Sequence, residues 1–202
     1  MIPLEGRVFL ARHGRPDFPD RRAYLLGWTD LPLSREGKEQ ARELGTALGG
    51  IPFRRVWCSD LLRTRQTAEL LGVEAQPRKE LREIFLGEWD GLPVEEVAAR
   101  EPEAFAARGA DFAGFRPPGG ESFGDLQARA VAAFEALMEE AEEGPVLLVG
   151  HTGFFWTLVS RYADVPLDRF GRFPQGYCGV HVLRRGKAGF APERLNWVPR
   201  IG

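Results

Sequence analysis

A chain of 202 residues, 44% hydrophobic and 28% charged, is long enough to bury its own core as one domain, and it has the composition of neither a disordered chain nor a membrane protein. Lys and Arg number 27 against 29 Asp and Glu, a net charge of −2 with no long run of one sign, so a general nucleic-acid surface is excluded and any anion must be held locally. Two cysteines, Cys58 and Cys178, are too few for a disulfide framework, and the first apolar run is broken by Pro3, Glu5 and Arg12, which fits neither a signal peptide nor a spanning helix; a cytoplasmic setting with no membrane partner is expected.

Taken in chain order, Val8 to Ala11 is an apolar strand that ends abruptly in Arg12-His13-Gly14. Ser34 caps a helix carrying Ala41, Leu44 and Leu48 on one face and stopping at Gly49-Gly50. Arg55 to Cys58 is a second strand, after which Ser59 is expected to cap a helix with Leu61, Ala68 and Leu71 on one face. Residues 73–83 are extended, and 84–121 form a Gly/Pro/aromatic insert with short helices around 93–107; with Phe85, Trp89, Phe105, Phe112 and Phe115 it is expected to act as a lid, some of these aromatics being ordinary core. Ser122 caps the longest helix, with Phe123, Leu126, Ala130, Phe134, Leu137, Met138 and Ala141 in helical period up to Gly144-Pro145. Val146 to Val149 has the continuous apolar character of a strand buried on both faces, Gly150-His151-Thr152-Gly153 follows it, a helix runs to about Tyr162, and Gly179 to Leu183 is expected to be the last strand.

Short strands alternating with helices predict an α/β fold: three layers, α/β/α, around a central mostly parallel sheet, in a single domain over 1–202 with the lid insert at about 84–121. Arg12-His13-Gly14, Ser59-Asp60 and His151-Thr152-Gly153 each follow a strand and lead toward a helix. In an open parallel sheet such ends converge on one crevice, and helix N-termini aimed into it favour an anion.

Two other motifs lead nowhere. Gly120-Glu121-Ser122-Phe123-Gly124 matches G-x-S-x-G, but the Phe115-Arg116-Pro117-Pro118-Gly119 before it cannot be the strand that a nucleophile elbow requires, so Ser122 is a helix cap. Cys58 lies five residues before Arg63, one too few for a cysteine-phosphatase loop, and belongs to a buried strand. There is no Walker loop, no G-x-G-x-x-G and no metal-type His/Asp cluster, so neither metal nor cofactor is expected.

The ordered set Leu10-Ala11-Arg12-His13-Gly14, Gly27-Trp28-Thr29-Asp30-Leu31-Pro32-Leu33-Ser34, Ser59 to Ala68 with Arg63, Leu81-Arg82-Glu83 before Gly87-Glu88-Trp89-Asp90-Gly91, and Val149-Gly150-His151-Thr152-Gly153 resembles the histidine phosphatase superfamily, also called phosphoglycerate mutase-like. Pro118-Gly119-Gly120-Glu121-Ser122 is similar to its phosphatase branch rather than to the longer mutases. The resemblance implies that His13 is the nucleophile, that Arg12 and Arg63 clamp the phosphate, that Glu83 is the proton donor and that His151 is a second phosphate ligand, with Gly14 and Thr152 on the binding side. The residue types suit these roles. A neutral imidazole can attack phosphorus and form a phosphohistidine, and two adjacent guanidiniums keep it neutral while matching phosphate oxygens with a planar fork that lysine lacks.

The family commonly follows R-H-G with Glu, then Thr or Ser, and later Asn; here those positions are Arg15, Pro16 and Pro19. Arg15 and Arg22 in this loop are expected to contact a second anionic group of the substrate. His181, alternating in a strand, is expected to be structural. The expected activity is metal-independent hydrolysis of small phosphorylated metabolites. The alternatives are a phosphoglycerate mutase-type phosphotransferase and a catalytically silent phosphate-binding protein, with homodimer formation left open.

Overall fold

The computed structural model describes residues 4–141, 144–171 and 173–198. The strands are β1 (Arg7–Arg12), β2 (Arg55–Ser59), β3 (Gln76–Arg78), β4 (Val146–Gly150), β5 (Val180–Gly186) and β6 (Gly189–Trp197), and they form one sheet in the order β3-β2-β4-β1-β5-β6. The pairs β1/β4, β2/β4 and β2/β3 are parallel, whereas β1/β5 and β5/β6 are antiparallel. The sheet is therefore mostly parallel.

Alternation along the strands divides the core in two. Val8 and Leu10 of β1 and Val146 and Leu148 of β4 pack on one face with helices α5 (Phe123–Glu140) and α6 (Thr152–Tyr162). Phe9, Ala11, Leu147 and Val149 pack on the other with α1 (Arg35–Leu48) and α2 (Leu62–Leu70). The result is the expected three-layer α/β/α arrangement. β4 sits between β2 and β1 and is buried along its whole length, which is why its sequence is apolar without alternation.

Two boundaries depart from expectation. Ser59 ends β2 and does not cap α2, which starts at Leu62; the Leu62 amide instead donates to Asp30 Oδ1 at 2.6 Å, a cap supplied from another loop. The last strand is not Gly179 to Leu183: β5 turns at Gly186 into the further strand β6. β6 is a largely exposed edge, so it carries Glu193 and Arg194 where a buried strand would carry apolar residues, and Glu193 accepts two hydrogen bonds from Arg7 of β1 at 2.7 Å.

The insert holds α3 (Val94–Arg100) and α4 (Pro102–Ala110). Its aromatic residues largely build core: Trp89 is fully buried, stacks on Phe115 (5.4 Å) and lies 6.3 Å from Phe105, while Phe112 stacks on Phe123 of α5. Phe85 lies against Trp28 at 4.7 Å.

Ser122 caps α5 as expected, in a reciprocal box: its Oγ accepts from the Asp125 amide (3.1 Å) and its own amide donates to Asp125 Oδ2 (2.9 Å). Ser122→Ala should therefore lower stability by about 1 kcal/mol, read as a lower denaturant midpoint with an unchanged m value.

Candidate active site

The β1/β4 register sets the centre of the site. Arg12 pairs with Gly150 across the ladder and the His13 amide donates to Gly150 O at 3.0 Å, so the next residues, His13 and His151, emerge side by side with ring centroids 5.3 Å apart. Both imidazoles are buried. His13 Nδ1 lies 2.7 Å from Gly14 O, an acceptor, so Nδ1 carries the proton and Nε2 keeps its lone pair. Burial is the first cause that holds the His13 imidazole well below the ordinary histidine value, and the Arg63 and Arg12 charges push it further down. The expectation that the two arginines do this is thus refined: desolvation contributes more.

Arg63, in the first turn of α2, is completely buried, and its Nη1 and Nη2 donate to Thr29 O (3.0 Å) and Gly27 O (2.6 Å). That loop is in turn held by Asp90, whose carboxylate accepts the amides of Gly27 (2.9 Å), Trp28 (2.5 Å) and Thr29 (3.2 Å). Burial lowers the Arg63 value to about 10, which leaves the guanidinium charged at neutral pH. Arg12 donates from Nη1 to Gln175 O (2.6 Å) and lies 4.1 Å from the centroid of the Tyr177 ring, a cation–π contact. Tyr177 also stands 5.9 Å from His13, so it walls one side of the pair.

Glu83 lies on the segment that follows a 3-10 turn at Lys79–Leu81. Its carboxyl is buried against the N-terminus of α6: Oε2 accepts the Gly153 amide (2.9 Å), and Oε1 accepts the amides of Phe154 (3.0 Å) and Ile84 (2.9 Å). Burial raises its pKa, opposed by the Gly153 and Ile84 amides and by the Arg63 and Arg12 charges. A Cβ at Gly153 would come within 2.4 Å of Glu83 Oε1, so glycine is required there for the carboxylate to reach the helix end.

Arg12, His13, Arg63, Glu83 and His151 thus converge. Arg12 Nε, Arg63 Nε, both ring nitrogens of His151 and Thr152 Oγ1 are buried without a partner among the described residues. A donor-rich cluster of this kind fits the oxygens of a phosphate.

Gly14 also has a packing role. Its amide donates to Thr67 Oγ1 (3.1 Å), and a Cβ there would strike Gly37 O of α1 at 2.3 Å, so this glycine permits close packing of the loop on α1 and orients His13 through its carbonyl. Arg15 and Arg22 stay outside the phosphate cluster. Arg15 pairs with Glu36 (3.0 Å) and Arg22 with Asp20 (2.9 Å), half-exposed pairs on the rim of a cavity of about 290 Å³ that Phe18, Tyr24 and Tyr177 also line. His181 is structural, accepting the Asn196 amide at Nδ1. Among the described residues no group of three or more His, Cys, Asp or Glu side chains is placed to hold a metal ion, and no helix is long and apolar enough to cross a membrane.

The sequence profile of the histidine phosphatase superfamily (branch 1) matches residues 8–198. The chain belongs to this superfamily. It is 30% identical over 171 residues to the adenosylcobalamin/alpha-ribazole phosphatase of Salmonella typhimurium, which covers 83% of this chain and 84% of that protein. It is 33% identical over 178 residues to 6-phosphofructo-2-kinase/fructose-2,6-bisphosphatase 1 of Rattus norvegicus, covering 87% of this chain but 36% of that protein, so this chain spans about a third of its length. Among solved histidine phosphatase structures, a putative alpha-ribazole-5'-P phosphatase from Escherichia coli superposes with a TM-score of 0.87 at 28% identity, covering 97% and 98% of the two chains. A mycobacterial glucosyl-3-phosphoglycerate phosphatase gives 0.83 at 29% identity over 94% and 98%. These relatives are phosphatases by name.

Sequence reasoning missed Tyr177, Gln175 and the role of Asp90. Asp90 lies inside the quoted Gly87–Gly91 stretch, but nothing local shows that it holds residues 27–29.

Two outcomes follow from this geometry. Gly153→Ala should leave the fold intact, since Ala favours the helix by about 1 kcal/mol, yet displace the Glu83 carboxyl, and phosphatase assays on the folded variant should show an activity loss on the order of 10²-fold. Stability should fall on acidification from about pH 6.5 toward 4. Unfolded histidines take protons there, whereas native His13, His151 and His181 resist, His181 down to about 4. The unfolded state therefore binds more protons, at up to about 1.4 kcal/mol per pH unit for each unmatched proton. Glu83, raised by burial, opposes with one group against three. Calorimetric Tm against pH checks the slope.

Proposed function

We propose that the protein is a cytoplasmic, metal-independent phosphomonoesterase that moves the phosphoryl group of a small phosphorylated metabolite first to His13 and then to water. The observation that carries this reading is the buried His13 imidazole, whose Nδ1 proton is committed to Gly14 O and whose Nε2 lone pair is free beside two guanidiniums.

In the first step the Nε2 lone pair attacks phosphorus, the P–O ester bond breaks, and Glu83 gives its proton to the departing alkoxide. Burial, which raises the Glu83 pKa, supports a carboxyl able to hold that proton. In the second step the Glu83 carboxylate takes a proton from water, the water oxygen attacks phosphorus, and the P–N bond breaks to release inorganic phosphate. Arg12, Arg63, His151 and Thr152 stabilise the equatorial oxygens, whose charge is the main thing such an enzyme must manage. Every group in both steps belongs to this chain.

The leaving group would lie beyond Tyr177, in the cavity rimmed by Arg15 and Arg22. Both cations are already paired, so they would meet a second anionic group of the substrate by exchanging Glu36 or Asp20 for it. The relatives' names supply the first probes: alpha-ribazole 5'-phosphate, fructose 2,6-bisphosphate and glucosyl-3-phosphoglycerate.

Phosphate release from such esters in the presence of a chelator should be abolished in His13→Ala, and rapid quench of the wild type should trap acid-labile phosphate on the protein. Interconversion of 2- and 3-phosphoglycerate would indicate a phosphotransferase instead, and neither activity would leave a silent phosphate binder. Arg15→Ala should raise KM for a bis-phosphorylated or carboxylated substrate and leave KM for a simple monoester unchanged.

A further inference from the structure

Arg129, in the second turn of α5, spends its guanidinium on the chain that carries Glu83. Its Nη1 donates to Glu80 O (2.9 Å) and Arg82 O (3.0 Å), and its Nη2 donates to Glu83 O (3.2 Å). The remaining donors form a two-point pair with Glu121, Nε to Oε1 at 3.0 Å and Nη2 to Oε2 at 2.8 Å. These contacts match the five N–H groups of a guanidinium. Glu121 then fastens the other flank of Glu83: its Oε2 accepts the Phe85 amide (2.9 Å) and its own amide donates to Phe85 O (2.7 Å). The backbone is therefore tied down at residues 80, 82, 83 and 85 by one ion pair anchored on the longest helix, with Trp28 Nε1 adding a further bond to Glu83 O (2.8 Å).

A surface ion pair with these exposures, 24% and 23%, contributes little to stability by itself. Its geometry has a different use. The Glu83 carboxyl must present a proton to a leaving-group oxygen, and a displacement of about 1 Å in such a group can cost on the order of 10²-fold in rate. We propose that Arg129 and Glu121 are positioning residues for the proton-donation step, holding the Glu83 backbone so that its carboxyl meets the leaving group. The inference rests on the reading of Glu83 as the proton donor. It concerns the departure of the leaving group and not the binding of phosphate, because neither residue hydrogen-bonds to Arg12, Arg63 or His151 among the described residues, and the charge of Arg129, the smallest of those acting on His151, is kept in Arg129→Lys. Lysine cannot replace Arg129, since one ammonium has three donors and no fork to span a carboxylate and three carbonyls.

A leaving-group series tests this. First-turnover release of alcohol is measured for dinitrophenyl, phenyl and alkyl phosphates, since a good leaving group departs without a proton and a poor one does not. Glu83→Gln is the reference and should slow the alkyl ester steeply, by about 10²–10⁴-fold, and the dinitrophenyl ester little. Arg129→Lys and Glu121→Gln should follow the same pattern with smaller losses, on the order of 10-fold or more for the alkyl ester, with inhibition by inorganic phosphate unchanged. Both variants are checked by circular dichroism, and Glu121→Gln serves if Arg129→Lys does not fold. A uniform loss across the series, or weaker inhibition by inorganic phosphate, would overturn the inference while Glu83→Gln retained its steep dependence. A flat series for Glu83→Gln itself would instead remove the proton-donor reading beneath it.

Discussion

Burying guanidinium charge at the carboxyl ends of parallel strands is the constraint from which the rest of the site follows. An unpaired buried cation costs several kcal/mol, so Arg63 must be compensated, and it donates to the carbonyls of Gly27 and Thr29. Those carbonyls point inward because Asp90 gathers the three amides of the same loop. Glu83, Asp30 and Asp90 add their attraction, and Asp30 also supplies the cap of the helix that carries Arg63. The insert, the loop after β1 and the start of α2 are in this way parts of one electrostatic arrangement.

The same burial shifts the histidines and Glu83 in opposite directions. Desolvation disfavours whichever form is charged, so it pushes His13 and His151 down and Glu83 up. One environment thereby yields a neutral imidazole and a carboxyl that retains a proton more readily than in water. In the proposed reaction these are the two protonation states that must coexist at one pH. The helix N-terminus tempers the effect on Glu83, since its amides favour the carboxylate needed in the second step.

Much of the site was legible because its residues stand at the ends of apolar runs: His13 and His151 follow β1 and β4, and the parallel register makes them neighbours. The three-layer fold was legible for the same reason, in the alternation of buried strands with capped helices. What escaped depends on partners far along the chain. Gln175 meets Arg12 across 163 positions, and Arg129 meets the Glu83 segment across 46 to 49. Side chain to backbone bonds of this sort impose no pattern on the residues that accept them. The cap of α2 was misread because Asp30 lies 32 residues away, and β6 because an exposed edge needs no apolar alternation. The packing role of Gly14 escaped because its partner, Gly37, is itself featureless in sequence.

The two cysteines are both buried, and burial pushes their thiols up to about 11 for Cys58 and about 12 for Cys178. Reactivity belongs to the thiolate, so in the folded protein both sulfurs are protonated and inert at neutral pH. Neither sulfur takes part in the proposed reaction, and both stay masked from thiol reagents in the folded protein, although Cys178 follows directly on the tyrosine that walls the site. The thiols gain their ordinary reactivity when the core opens, which makes thiol labelling a direct clock for unfolding, independent of whether the substrate is known.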